Sequence, residues 1–281
     1  WGAGRENTQY HDPPRHQRAV SRKPTGGSML SDEGYLKTMP HVSLQPAFEQ
    51  VVGEVVNGLR HALGNILHSI YLYGSVARGN AVTGVSDLDV CVIFTRPLRV
   101  EESEILARLR QDLAAHHPCV SKIDIDPGVL AGVLDPENLY SWGYWLKHHC
   151  RCVYGEDLSD RFARFRPSKA IAVAVNGDVM AVLNDVISRI QAASDRQERL
   201  MLQRAAARKL IRATNMLRSA CDTDWPDTLE DYVARVVRRY PQQATALDYF
   251  LRESQHPDDD ADHFIAQLRA FMAWLNCTYQ P

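Results

Sequence analysis

The sequence predicts an α+β protein, an α/β domain followed by an all-helical bundle. Three observations predict it. Short apolar runs at 69–73 and 88–94 flank a Gly-containing turn, the pattern of two strands around a tight connection. From about residue 159 onward, apolar residues recur only at helical spacing. With 281 residues, 45% of them hydrophobic, the chain can bury one large core or two medium ones.

The elements follow in order. Residues 1–28 begin with Trp and are rich in Arg, His, Pro, Gly and Ser, so they read as a disordered or non-native leader, with Met29 or Met39 as a natural start. A helix is expected from Pro46 to Leu63: Pro suits its first turn, Gly64 follows its end, and Phe48, Val51, Val52, Val55, Val56, Leu59 and Leu63 fall on helical spacing. A strand over 69–73, a turn and short helix over 74–80 and a second strand over 88–94 come next. A helix over 101–115 turns Ile105, Leu106, Leu109 and Leu113 inward. A third strand is expected over 120–126, alternating in its last four residues. Residues 136–158 carry an aromatic-rich helix with Tyr140, Trp142, Tyr144 and Trp145, read as core, and then Val153-Tyr154-Gly155-Glu156-Asp157-Leu158. Helices over 170–192, 196–220, 228–240, 243–254 and 258–277 complete the chain, with Asp258–Asp260 placed where acids favour a helix start.

Net charge is −2, which argues against a dedicated nucleic-acid binder. The charge is uneven: twelve Arg or Lys against four acids between 161 and 220, then five Arg against eleven acids to the end. That suits a protein holding a polyanion, although solvated helix faces account for most of these charges. The six cysteines are scattered, with no secretory signal before them and no apolar run near the length of a membrane span, so reduced thiols in a cytosolic protein are expected. His148-His149-Cys150-Arg151-Cys152 lacks a second ligand pair at suitable spacing and is a weak zinc candidate.

The chemistry concentrates in residues 74–90: Gly74-Ser75-Val76-Ala77-Arg78-Gly79, a six-residue connection, Ser86, then Asp87-Leu88-Asp89-Val90. Strand alternation puts Asp87 and Asp89 on one side. Two carboxylates on one face repel unless a cation lies between them. Hard oxygen ligands of this kind suit Mg²⁺ shared with substrate phosphates. A glycine-containing turn offers backbone N–H groups to those phosphates.

This stretch resembles the nucleotidyltransferases of the DNA polymerase β superfamily, most strongly over 66–95 and more weakly to about 158. The resemblance implies an α/β nucleotidyltransferase domain with a mixed sheet over 29–158 and a helical domain over 159–281. It implies Asp87 and Asp89 as metal and catalytic residues, and Gly74, Ser75, Arg78 and Ser86 at the nucleotide. A third acid comes from the next strand. Asp124 and Asp126 share one face there, and Asp124 is preferred because Asp126 precedes Pro127-Gly128 and suits a turn. Ala207-Arg208-Lys209-Leu210-Ile211-Arg212 resembles the helical domain of bacterial aminoglycoside adenylyltransferases of the streptomycin/spectinomycin group. There Arg212, with Arg208 as runner-up, would hold the triphosphate. The lysine that the group carries after the next turn is missing, since Pro226, Asp227 and Thr228 stand at that place, and its third acid is Glu where this chain has Asp.

The expectation is therefore an enzyme using ATP and two Mg²⁺ ions to move AMP onto a hydroxyl of a small-molecule acceptor, an aminoglycoside among the candidates, without stable nucleic-acid or membrane partners. A protein-AMPylating antitoxin-like enzyme and a non-catalytic nucleotide-binding module are the rivals. Length argues against the first, and retention of both Asp87 and Asp89 against the second.

Overall fold

The computed structural model describes residues 29–281; the leader expected over 1–28 lies outside the described residues. Two compact units emerge. One spans 37–165; the other comprises 29–36 together with 166–281. The division thus falls after Phe165, not after Leu158. Phe165 N donates to His148 Nε2 at 2.9 Å, and its ring meets Tyr140, Tyr144 and His148 edge-on. Residues near 33–35 join the second unit because Arg166 donates to Glu33 O at 2.8 Å and lies over the Tyr35 ring.

The first unit begins with α1, Pro46–Leu63, which buries Phe48, Val51, Val52, Val55, Leu59 and Leu63 on one stripe. Strands β1 (Leu67–Tyr73), β2 (Leu88–Phe94), β3 (Ile123–Val129) and β4 (Arg151–Gly155) form one mixed sheet in the order β3-β2-β1-β4. β1 is antiparallel to β2 and β4, and β2 is parallel to β3. Alternation gives the sheet two apolar faces. Ile70, Leu72, Leu88, Val90, Val92, Phe94 and Ile123 pack with α1 and with α3, Val100–His116. Tyr71, Tyr73, Cys91 and Ile93 pack with Trp142, Trp145, Leu146 and Leu158.

β3 departs from expectation. It starts three residues later than the pattern suggests and runs through Pro127 and Gly128, which pair with Val92 and Ile93. β3 is an edge strand, where a missing N–H is tolerated. A Cβ on Gly128 would stand 2.7 Å from the Trp142 ring and 2.8 Å from Ile93 Cδ1, so glycine here admits the indole to the sheet. Asp126 is therefore a strand residue, not a turn residue.

The aromatic helix expected ahead of Val153 is broken. A 3₁₀ turn Pro136–Asn138 and a π turn Leu139–Gly143 lead into α5, Tyr144–His149, and then β4. The short α2 (Gly74–Arg78) and α4 (Leu130–Leu134) complete this unit's helices. Trp142, Tyr144 and Trp145 are core, as expected.

The second unit is helical: α6 (Lys169–Asn176), α7 (Val179–Ala192), α8 (Arg196–Ala213), α9 (Leu229–Arg239), α10 (Ala244–Glu253) and α11 (Ala261–Thr278). The single helix expected over 170–192 breaks at Gly177-Asp178, where Lys209 Nζ of α8 reaches Asp178 Oδ1 at 3.1 Å. Contrary to expectation, Lys169–Ala192 is long and apolar enough to cross a membrane by composition alone. Ile171, Leu183, Ile187 and Ile190 within it are buried in the unit's own core. The helix expected to reach residue 220 ends at Ala213 and tightens into Thr214–Leu217. Arg218 then donates to the carbonyls of Asp222 and Asp224 and holds the following loop. Asp260 caps α11 by accepting from His263 N at 3.1 Å, while Asp259 pairs with Arg196 at 2.8 Å. Arg196 and Arg199 on Asp259 thus join the basic segment to the acidic one inside the unit.

Candidate active site

β1 delivers an apolar strand to Tyr73, and the chain turns at Gly74, whose φ is +73°. α2 follows at once. A Cβ on Gly74 would lie 2.3 Å from Asp89 Oδ2, so only glycine lets this turn lie against the carboxylate. The loop back to β2 is tied down by Gly84 N on Cys119 O at 2.7 Å and by Leu88 N on Lys122 O at 2.9 Å. Asp87 is thereby fixed one residue ahead of β2, and Asp89 is held within it.

Asp89 stands opposite Asp124 in the parallel β2–β3 ladder, and neighbouring residues of paired strands share a face. Asp87, Asp89 and Asp124 each offer a carboxylate oxygen, and these oxygens all lie within 4.8 Å of one another. Among the described residues this is the single cluster of His, Cys, Asp or Glu arranged to hold a metal ion. Burial, reinforced by Asp124 and Asp87, pushes the Asp89 carboxyl up to about 7, with Lys122 opposing. A group in that condition needs a proton or a cation. A convergent, all-oxygen donor set with room kept by a glycine fits a hard divalent cation.

Asp126, two residues along β3, has a different partner. The Tyr73 hydroxyl donates to Asp126 Oδ2. Burial, Asp126 and Asp89 hold the Tyr73 hydroxyl far above its ordinary pKa, so it stays a donor. Tyr73 is steadied in turn by Trp145, edge-on at 5.0 Å.

The remaining expected residues fall variously. Ser75 opens α2 beside Gly74. Arg78 closes α2, where its charge is felt by Asp89. Ser86 is buried, and its Oγ accepts from Val82 N at 2.8 Å, which closes the loop before Asp87. This local bond uses the Ser86 hydroxyl as an acceptor only. Arg212 lies in the last turn of α8, in the helical unit. Burial lowers its pKa, Tyr232 partly opposing, and it has no hydrogen-bond or ion-pair partner among the described residues. Where the lysine is missing, Thr228 and Asp231 form a reciprocal cap that starts α9.

The zinc candidate dissolves into ordinary bonds. His148 joins Lys37 O and Phe165 N, His149 meets the Tyr144 hydroxyl at 2.7 Å, and the Cys152 thiol faces Tyr154 O. Sequence reasoning missed Tyr73 and Lys122. Both were detectable by alternation, Tyr73 directly before the Gly-Ser turn and Lys122 two residues before Asp124.

Residues 54–126, which contain the turn and all three carboxylates, match the family model of the nucleotidyltransferase domain. This segment is a nucleotidyltransferase domain. The fold of the chain is similar to that of spectinomycin adenyltransferase AAD(9) from Enterococcus faecialis, solved with ATP and spectinomycin, at a TM-score of 0.51 and 16% identity. The match covers 80% of this chain and 98% of that one. No curated protein matches this chain at a significant level.

Proposed function

We propose that this nucleotidyltransferase moves AMP from ATP onto a hydroxyl of a small-molecule acceptor, with release of pyrophosphate, and that it requires Mg²⁺. The observation that carries this reading is the Asp87–Asp89–Asp124 cluster inside the matched domain. These three residues would hold the metal, two ions in the fullest form. Bound Mg²⁺ supplies Lewis-acid stabilisation of the attacking and leaving oxygens.

The chain's own groups do the rest. The backbone N–H groups of Gly74 and Ser75 hold the departing phosphates, and fixed donors of this kind stabilise charge without reorganising as it develops. Arg78 adds positive charge beside them. Asp124 ligates, or accepts the proton of the acceptor hydroxyl. Arg212, a half-buried guanidinium with no carboxylate partner among the described residues, neutralises triphosphate charge. The AAD(9) structure holds ATP and spectinomycin, which supports ATP as the donor and an aminoglycoside or aminocyclitol as the acceptor class, with antibiotic resistance as the consequence and the cytoplasm as its place.

Incubation with labelled ATP, Mg²⁺ and a panel of such acceptors, followed by mass spectrometry of both small molecules and protein, tests the reading. An acceptor heavier by one AMP is expected. AMP found on protein alone would replace this reading with protein AMPylation, and no transfer to any acceptor or protein would remove it.

A further inference from the structure

Lys122 lies two residues before Asp124 and just ahead of β3, and its side chain reaches the carboxylate cluster. Its backbone is fixed, since Lys122 O accepts from Leu88 N at 2.9 Å while Ser121 N next to it donates to Ser86 O at 2.9 Å. The ammonium reaches Asp124 Oδ2 at 2.7 Å and Asp124 Oδ1 at 3.0 Å, and stands 4.0 Å from Asp87 Oδ2. One cation therefore spans two of the three clustered carboxylates. Its side chain is 40% exposed, so the flexible stem can withdraw without opening the core.

We propose that Lys122 is the resident counter-cation of the triad. It holds Asp124 against Asp87 in the metal-free protein, and a divalent cation displaces it on binding. This rests on the reading of the triad as a metal site and adds the competitor to it. The ammonium uses carboxylate lone pairs that the metal would use. It also softens the repulsion among Asp87, Asp89 and Asp124, so it has two opposed effects on metal affinity. Competition is the larger, because relief of repulsion is supplied more strongly by the metal itself, a doubly charged ion in direct contact. The size of the effect is bounded by the pair's exposure: an ion pair of this kind shifts an equilibrium by at most about fivefold.

Calorimetric titration of the full chain with Mn²⁺, without nucleotide, tests the proposal. Lys122→Met should bind Mn²⁺ about three- to fivefold tighter than wild type, and Lys122→Arg no tighter than wild type. Equal or weaker binding by Lys122→Met would overturn the proposal. A second measurement uses the wild-type protein. Acetic anhydride should acetylate Lys122 faster in saturating Mn²⁺ than in chelator, and the difference should vanish in Asp89→Asn. A rate unmoved by Mn²⁺ in wild type overturns the displacement. If wild type binds no Mn²⁺, the metal reading falls and this proposal with it. If binding requires Asp89 but ignores Lys122, only this proposal falls.

Discussion

The Tyr73 hydroxyl is bonded to Asp126, two residues beyond the point on β3 where Asp124 faces Asp89. That bond separates two aspartates which strand periodicity treats alike. Asp124 joins the carboxylate cluster, whereas Asp126 belongs to a phenol that burial keeps protonated. Asp124→Asn should therefore lower the transfer rate by about 10²–10⁴ or more, the range for loss of a general base. Asp126→Asn, which still accepts from Tyr73, should lower it less than about tenfold. Asp126→Ala should cost about 1–3 kcal/mol of stability by leaving the buried hydroxyl unpaired. Steady-state rates with urea unfolding of each variant check this, and a dead but stable Asp126→Asn would reverse the assignment.

Gly74→Ala puts a methyl group where Asp89 Oδ2 now lies and forces an L-residue to φ near +73°. The left-handed conformation alone costs about 1–2 kcal/mol. The displaced carboxylate should add a loss of nucleotide turnover beyond what the stability change predicts. Equal ATP affinity in wild type and variant, by calorimetry, would remove this turn from the site.

Metal should stabilise the fold in proportion to its binding. At 100 times Kd a single-site ligand adds about 2.7 kcal/mol, and melting moves by about 2–4 °C per kcal/mol for a chain of 150–250 residues. Asp89→Asn should abolish this Mg²⁺-dependent rise. It should also melt higher than wild type in chelator, because one charge leaves a repelling cluster. Differential scanning fluorimetry with and without chelator reads both changes.

Arg212→Met removes a half-buried cation with no hydrogen-bond or ion-pair partner among the described residues, so stability should stay level or rise. ATP affinity should nevertheless fall about ten- to a hundredfold, the worth of a charge-assisted phosphate contact. Unchanged ATP binding would confine Arg212 to the helical core.

His149 should set part of the acid limb of stability. Burial, with His148 and Arg78 adding to it, lowers its pKa to about 3. The unfolded chain takes up this proton below about pH 6.5 while the folded chain refuses it. The contribution is thus complete above about 6.5 and is lost as pH falls toward about 3, at a limiting slope of about 1.4 kcal/mol per pH unit. His149→Gln should flatten denaturant-measured stability between pH 6.5 and 4.5. An unchanged slope would place the ring in contact with solvent.

Much of this was legible in the sequence because it is local. The Gly74-Ser75 turn, the Asp87–Asp89 spacing and the apolar stripe of α1 each depend on residues a few positions apart. What escaped depends on partners distant in the chain. Pro127 and Gly128 look like a turn until β3 is known to be an edge strand with Trp142 lying against it. Gly177-Asp178 looks like helix interior until Lys209 is seen to engage Asp178.

The edge position of β3 also bears on how the protein fails. Asp87 and Asp89 precede and enter β2, which is flanked on both sides, whereas Asp124 rides on a strand with one neighbour, interrupted by a proline. Strands at an open margin detach at lower free energy than the interior of a sheet. The third carboxylate can thus swing out of register while the other two stay in place. In rising denaturant, loss of turnover should precede loss of the far-ultraviolet signal, with β3 amides exchanging deuterium ahead of those in β1 and β2.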